Sequence, residues 1–290
     1  MNWLNALISG VLIGGLYAMY ATGLSISFGV MRLVNLSHGD LAIAAAFFSS
    51  TLVYATGGTP FWTLAILMPA AALCGLGLQR VVFDRLIGVD PAFQIVATFG
   101  LSIVIQNLLL RYYQANLRTL NVGSLRTAAI RLGDLSIGVF PLLRFAVAVA
   151  VLAALSLFLA RTSLGRAFRA TSDDPATARL MGINPRSVYM LATAIALATI
   201  ALAGVFNGAR TNFAASDGPG LLIFAFEAVI IGGLGSLWGT LAGGVVLALA
   251  QSLGAEAFSA WPAQFFGHVV FLAVLAIRPT GLFGNQAELA

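Results

Sequence analysis

Seven polar or ionisable residues interrupt otherwise apolar segments, and these are the side chains that could bind or guide a polar solute. They are Asn35, His38, Thr98, Ser102, Gln106, Asn107 and Glu227. Glu227 is the most demanding of them, since a carboxylate at the centre of a bilayer costs about 2.5–3.5 kcal/mol even on lenient insertion scales. Either Glu227 lines a pathway, for instance near a substrate ammonium group, or it pairs with Arg210 or lies near water. The sequence leaves both alternatives open.

The remaining six residues also have two interpretations each. Asn35 and His38 flank the end of the first apolar block, where they would either gate a pathway or cap a helix and bond a carbonyl. Thr98, Ser102, Gln106 and Asn107 form a second group with helical spacing, in which positions 98, 102 and 106 are each four residues apart. This stripe predicts either a channel lining or hydrogen bonds between helices. His268, alone on the last apolar segment, is expected to be a satisfied packing residue.

Enzymatic chemistry finds no support in the sequence. The acidic residues are few and scattered, and no His, Cys and carboxylate cluster has the spacing of metal ligands. All basic residues are arginines, so the lysine that a Walker A phosphate loop requires is missing from the chain. We therefore expect no enzyme, no cofactor and no resident nucleotide site. Any ATP-driven chemistry must come from a partner.

Residues 161–187 form the one long polar segment between apolar ones, and they carry five of the fifteen basic residues. Lys/Arg-rich short loops stay in the cytoplasm, which places this segment there. Asp173 or Asp174 can cap a helix, Pro175 suits its first position and Gly182 suits its end. The pattern predicts a helix of about two turns, too short to be stable without a partner surface. The alternative is an ordinary solvated loop.

The composition requires a membrane. Hydrophobic residues make up 60% of the 290 residues and charged residues only 9%, so the chain is predicted to be an all-α polytopic membrane protein with a single domain, residues 1–290. The net charge of +5 comes from arginines dispersed among loops, which topology explains better than nucleic acid does.

The apolar segments predict about eight transmembrane helices, give or take one. Seven candidates are clear: residues 3–23, 40–57, 60–78, 92–111, 139–160, 189–209 and 264–278. Residues 24–36 either finish the first helix or re-enter the membrane. Residues 221–254 contain two apolar halves around a Gly-rich break and form either a hairpin of short spans or a re-entrant element. Both irregular regions are candidates for the pathway.

One segment conflicts with the predicted topology. Counting spans from the cytoplasmic loops at 79–90 and 161–187 places residues 112–138 outside. That segment nevertheless holds Arg118, Arg126 and Arg131 against only Asp134, which violates the positive-inside rule. Two arginine-containing loops support this topology and one segment opposes it, so residues 112–138 are still predicted to be external.

Four stretches of sequence carry a family resemblance. The first joins residues 9–23 to RLVNLSHGD at 32–40, and the second is ATFGLS at 97–102 with Gln106 and Asn107. The third contains LGRA at 164–167, RA at 169–170 and GIN at 182–184. The fourth joins IGGLGSLWG at 231–239 to RPTGLFG at 278–284. In this order and over nearly the whole length, the chain resembles the LivH-type permease subunits of branched-chain amino acid ABC importers.

The resemblance implies an importer in the bacterial inner membrane. Its partners would be a second homologous permease, two ATP-binding subunits and a periplasmic substrate-binding protein, beside membrane lipid. It also gives the 161–187 segment a role, the transmission of ATP-driven closure. The residues implied are Gly165, Arg166, Ala167, Arg169, Asp173, Asp174, Arg179 and Gly182. Permeases for urea, short amides or other amino acids, and a stand-alone secondary transporter or channel, remain as alternatives.

Overall fold

The computed structural model describes residues 3–133, 135–258 and 261–283. Eleven α-helices occur in these ranges. They are α1 (Trp3–Met31), α2 (His38–Thr56), α3 (Pro60–Val81), α4 (Pro91–Tyr113), α5 (Val139–Arg161), α6 (Ser163–Asp173), α7 (Pro175–Leu180), α8 (Pro185–Arg210), α9 (Gly218–Gly232), α10 (Leu237–Ala257) and α11 (Ala263–Ile277). Two short strands, β1 (Ala129–Leu132) and β2 (Leu135–Gly138), form an antiparallel hairpin. Asp134 and Gly284 of the sequence patterns lie outside the described residues.

The predicted all-α polytopic fold is confirmed. Within the described ranges, seven helices are long and apolar enough to cross a membrane, namely α1, α2, α3, α4, α5, α8 and α10. The apolar helices α9 and α11 have 15 residues each, about 22 Å at 1.5 Å per residue. This is shorter than the roughly 30 Å hydrocarbon core. Residues 264–278, predicted as a full span, therefore form a helix that does not cross the core unaided.

Helix α1 is the centre of the bundle and packs against α5, α8, α9 and α10. Small residues make this possible. A Cβ added at Gly14 would lie 2.5 Å from the Cα of Val245 on α10, and one at Gly10 would lie 3.0 Å from the Cα of Leu249. Gly10 and Gly14, one turn apart on α1, thus let two helix backbones approach closely, as is common at interfaces inside a bilayer.

After α1 the chain turns back toward the middle of that helix. Residues 24–31 finish α1, and residues 32–35 are non-helical, with Arg32 at a φ of 51°. Helix α2 then begins at His38, whose Nε2 lies 2.7 Å from the carbonyl oxygen of Tyr20. Tyr20 is eleven residues, about 16 Å, before the end of α1 at Met31. Residues 32–37 therefore return from the end of α1 toward its centre.

Residues 221–254 contain a helical hairpin, and the Gly-rich break forms its turn. Helix α9 ends at Gly232 and α10 begins at Leu237, with Gly233 and Gly235 both at positive φ in the turn. A Cβ at Gly243 would lie 2.0 Å from the carbonyl oxygen of Ala228, so the two arms touch backbone to backbone. Residues 221–254 thus form a helical hairpin with α9 as its short arm.

The two polar segments lie at opposite ends of α1. On the β-hairpin, the Ser136 amide donates to Asn5 Oδ1 at the beginning of the helix, at 3.2 Å. On α6, the Ser172 hydroxyl donates to the carbonyl oxygen of Gly29 near its end. This arrangement agrees with the predicted topology, in which residues 112–138 and 161–187 face opposite sides.

Candidate functional site

The polar segment between α5 and α8 folds into two helices, so the prediction of a single short helix was incomplete. Thr162 caps α6 by accepting a hydrogen bond from the Gly165 amide at 3.0 Å. Helix α6 was missed because only the cap and stop signals around α7 were considered. Its amphipathic pattern is the signal that could have revealed it: Phe168 and Thr171 are buried, while Arg166 and Arg169 are exposed.

Helix α7 begins and ends where the sequence predicts. Asp174 caps it by accepting a hydrogen bond from the Ala176 amide at 2.8 Å, Pro175 is the first helical residue, and Gly182 follows the helix at a φ of 82°. The hydroxyl of Thr177 and the amides of Ala176 and Thr177 all donate to the Asp174 carboxylate, and together they lower its pKa below the ordinary value. The cap therefore stays charged at physiological pH.

The residues predicted for coupling divide into an inner and an outer set. Gly165 is buried, and a Cβ there would lie 2.1 Å from the carbonyl oxygen of Leu159 on α5. Ala167 is partly buried and packs against the cluster that contains Phe168 and Val188. The exposed set is Arg166, Arg169, Asp173, Asp174, Arg179 and Gly182.

An exposed apolar tip lies at the end of α7, which the sequence analysis did not single out. Leu180 is 87% exposed and Met181 is 78% exposed. Arg179 beside them is also exposed. A pair of large apolar side chains next to a cation, on the segment opposite the β-hairpin, is a surface suited to a protein partner.

The polar stripe on α4 faces α2 and the segment before it. Ser102 donates to Asp40 Oδ2 at 2.5 Å, and Gln106 Nε2 donates to Ser102 Oγ at 3.1 Å. Thr98 Oγ1 bonds the carbonyl oxygen of Gln94 on its own helix at 2.9 Å and that of Val34 at 3.3 Å. Asn107 is exposed and bonds the carbonyl oxygen of Ile103 on its own helix. Ser102 and Thr98 therefore connect α4 to α2 and to the segment before it, whereas the bonds of Gln106 and Asn107 stay within α4.

Asp40 is the residue that the sequence analysis missed. Its side chain is fully buried, and its Oδ1 has no hydrogen-bond partner among the described residues. A Cβ added at Gly218 would lie 2.0 Å from this oxygen, so the first turn of α9 closes over the carboxyl group. The argument applied to Glu227, that a carboxylate in an apolar segment needs a reason, would have found Asp40 as well.

Asn35 and His38 make local and main-chain hydrogen bonds. Asn35 Oδ1 accepts from the Ser37 amide at 3.0 Å and from its hydroxyl at 2.7 Å. The His38 ring bonds the Tyr20 carbonyl. Both residues are buried. These contacts fix the turn that leads into α2.

Glu227 pairs with His268 and not with Arg210. Its Oε1 bonds His268 Nδ1, while Oε2 is buried without a partner among the described residues. Phe224, one turn earlier, stacks on Tyr17, the central residue of α1, with ring centroids 5.0 Å apart. His268 is satisfied as expected, but it is not a lone residue, because from α11 it supplies the polar partner of the α9 carboxylate. The pair joins two short helices, and the His268 side chain is 43% exposed.

Comparisons with known proteins identify the family of this chain. Residues 6–277 match the family model described as branched-chain amino acid transport system, permease component. The permease protein BraD of Pseudomonas aeruginosa is 29% identical over 98% of this chain and 96% of its own length. The permease protein LivH of Escherichia coli is 26% identical over 98% and 96%, and LivM of the same organism is 27% identical over 92% and 67%.

The family model covers most of this chain, and the chain folds into a bundle of apolar helices with the motifs of the resemblance in order. It is a multi-pass membrane protein, and it belongs to the family of permease components of branched-chain amino acid transport systems.

Proposed function

We propose that this chain is the membrane-spanning permease subunit of an ATP-binding-cassette importer that carries branched-chain amino acids into the cytoplasm. The observation that supports this most strongly is the family match over residues 6–277, joined by the ordered α6–α7 segment on one side of the bundle. The permease works without a cofactor and catalyses no reaction itself. Residues 1–290 act as one domain in the bacterial inner membrane.

The proposed assembly contains four further components. A second homologous permease pairs with this chain, two ATP-binding subunits lie on the cytoplasmic side, and a periplasmic binding protein delivers the amino acid. The name of LivM, a related permease in the same organism as LivH, supports a second permease partner. The absence of lysine from the chain supports an external source of ATP hydrolysis.

The α6–α7 segment is proposed to receive the motion of an ATP-binding subunit. Leu180 and Met181 contact the partner, and Arg166, Arg169, Asp173 and Arg179 surround that contact. Asp174 and Gly182 fix the ends of α7. Gly165 and Ala167 hold α6 against the bundle, so that a push on α7 moves α5 and α8 together. A rigid corner of this kind transmits displacement because packed interfaces do not deform continuously.

A translocation role is proposed for the seven polar residues named from the sequence, in two different ways. Ser102 fixes α4 against α2, Gln106 holds Ser102, and Thr98 fixes α4 against the segment before α2. Asn35 and His38 fix the turn that leads into α2, so these five shape the pathway rather than bind solute. Glu227 has a carboxylate oxygen without a partner among the described residues. Asn107 is exposed on α4. These two are the candidates for contact with a substrate or a neighbouring subunit.

Transport assays distinguish the proposal from its alternatives. The chain is reconstituted in proteoliposomes with its cognate subunits and binding protein, and uptake of labelled leucine, valine, urea and acetamide is measured. We expect leucine and valine uptake only when ATP reaches the ATP-binding subunits. Uptake by the chain alone down an ion gradient would favour a secondary transporter. Uptake of urea or amides in preference to leucine would assign a different substrate class.

A further inference from the structure

A cavity of about 320 Å³ opens beside the first turns of α5, at the end of α1 that carries the β-hairpin. Three arginines from three different segments line it: Arg126, Arg144 and Arg210. The lining also includes two serines, Ser9 and Ser136, and apolar side chains such as Leu12, Ile13 and Phe140. The cavity therefore combines positive charge with an aliphatic and aromatic wall.

Arg144 is the anchor of this cavity. It is only 2% exposed and is among the largest fully buried side chains of the protein. Its Nη2 donates to the carbonyl oxygen of Leu12 at 3.3 Å, while its Nε is buried with no partner among the described residues. A guanidinium offers five N–H donors in a planar fork and keeps its charge. Burying such a group unpaired is costly, so an anion in the cavity would relieve a defect that the protein alone leaves.

No acidic side chain lines the cavity in the described part of the chain. The guanidinium of Arg126 donates to the carbonyl oxygen of Arg210 at 3.3 Å and to the Thr119 hydroxyl at 3.4 Å, both neutral acceptors. The three positive charges are therefore not neutralised by any described lining residue.

Arg118, from the same external segment, shows what a purely structural arginine looks like. Its guanidinium carbon lies 4.8 Å from the centroid of the Tyr113 ring, and its Nη1 donates to Ser50 at 3.1 Å. Two of the three arginines in residues 112–138, the segment that violates the positive-inside rule, thus have defined surroundings. Arg118 packs on aromatic rings, and Arg126 faces a cavity that it shares with two other arginines.

From this geometry we infer that the cavity is a binding site for the carboxylate of a small aliphatic acid. The arginine forks match the two oxygens of a carboxylate, and the apolar wall matches a branched aliphatic side chain. The volume lies at the lower end of the roughly 300–1,000 Å³ typical of ligand pockets. The choice of leucine as the first ligand rests on the proposed function, whereas the carboxylate site does not.

Binding measured without transport tests the inference. The full chain, purified with its accompanying membrane and ATP-binding subunits, is placed in phosphatidylcholine nanodiscs without ATP or binding protein, and labelled leucine is titrated. We expect leucine to bind, 4-methyl-2-oxopentanoate to compete and leucinamide, which lacks the carboxylate, not to compete. Arg144→Gln and Arg210→Gln should each weaken binding at least about tenfold, as loss of a charged hydrogen bond implies.

Arg118→Gln is the matched control, and it should bind leucine like the unmodified protein. If Arg144→Gln does not assemble, Arg210→Gln carries the test, since Arg210 is exposed. Equal competition by leucinamide, or wild-type binding by both cavity variants, would overturn the site. Abolition of leucine binding by phosphatidylglycerol in the nanodisc would also overturn it, because the occupant would then be a lipid phosphate. Loss of binding with normal uptake contradicts this site alone, whereas binding without any uptake contradicts the proposed function alone.

Discussion

At the scale of single residues, each of the two buried carboxylates in the described part of the chain bonds a side chain on another helix. Ser102 on α4 donates to Asp40 on α2, and His268 on α11 bonds Glu227 on α9. The bilayer core holds no water that could hydrogen-bond a lone carboxylate, so each acid bonds a specific neighbouring side chain. One pair joins two long helices, α2 and α4, and the other joins the two short helices α9 and α11.

Replacing Ser102 with alanine should destabilise the assembled permease. The change leaves the Asp40 carboxyl group without its hydroxyl donor, and an unsatisfied buried group costs about 1–3 kcal/mol. We expect a melting temperature several degrees lower in detergent or nanodiscs, measured by scanning fluorimetry, with leucine uptake reduced in proportion to the folded fraction.

Asn107→Ala is the control from the same stripe, since Asn107 is exposed and bonds only its own helix. It should melt like the unmodified protein. An unchanged melting temperature in Ser102→Ala, or an equal loss in Asn107→Ala, would show that the Asp40 contact contributes nothing to stability.

The sequence predicted these residues better than it predicted their contacts. Helical spacing identified Thr98, Ser102 and Gln106 as one face, and the cost of burial identified Glu227. The partner of Glu227 lies 41 residues away, and only tertiary packing decides that it is His268 and not Arg210. Asp40 was missed because it sits in a polar motif at a helix start, where an acid has an ordinary explanation as a favourable charge near the N-terminus.

At the scale of elements, the α6–α7 segment is a helical corner fixed by capping at both helices. Cap and stop signals predicted α7 to within a residue of its bounds. Helix α6 was missed because its amphipathic pattern was not considered. Its Phe168 packs on the cluster of Ile26, Met31 and Val188. Short amphipathic helices depend on such a surface more than on their own propensity.

Asp174→Ala should weaken coupling, while Asp174→Ser, which keeps an N-cap acceptor, should preserve most of it. The lowered pKa means that the charged cap stabilises the folded state at any pH above the ordinary Asp value of about 3.9, and that this contribution is lost only as pH falls through the lowered pKa. The gap in transport-stimulated ATP hydrolysis between the Ala variant and the unmodified protein should therefore be equal at pH of about 6 and about 8.

A gap that closes at the lower of these pH values would mean that Asp174 is already protonated there. That result would contradict the hydrogen bonds that hold its carboxylate. A Ser variant as impaired as the Ala variant would instead show that capping of α7 is not what the residue contributes.

At the scale of the whole molecule, hydropathy predicted the long helices and failed on the short ones. Segments of 19 residues or more are recognised by their length alone. Helices α9 and α11 are apolar but have 15 residues each. Their placement depends on contacts with α1 and α10, and hydropathy averaged over a short stretch of sequence carries no information about such contacts. The arginine-lined cavity depends on three segments that are distant in sequence and was not predicted.

The central claim is that ATP hydrolysis on partner subunits drives amino acid import by this chain. The motion reaches the bundle through the α6–α7 segment, where α6 packs against α5. The most direct test is the ratio of leucine imported to ATP hydrolysed in one set of proteoliposomes, compared between Gly165→Val and Gly100→Val. A Cβ at Gly165 would lie 2.1 Å from the Leu159 carbonyl oxygen, whereas nothing lies within 4 Å of one at Gly100 on α4. We predict that the ratio falls at least several-fold in Gly165→Val, with assembly intact, and stays at the wild-type value in Gly100→Val. A wild-type ratio in an assembled Gly165→Val complex would contradict the account.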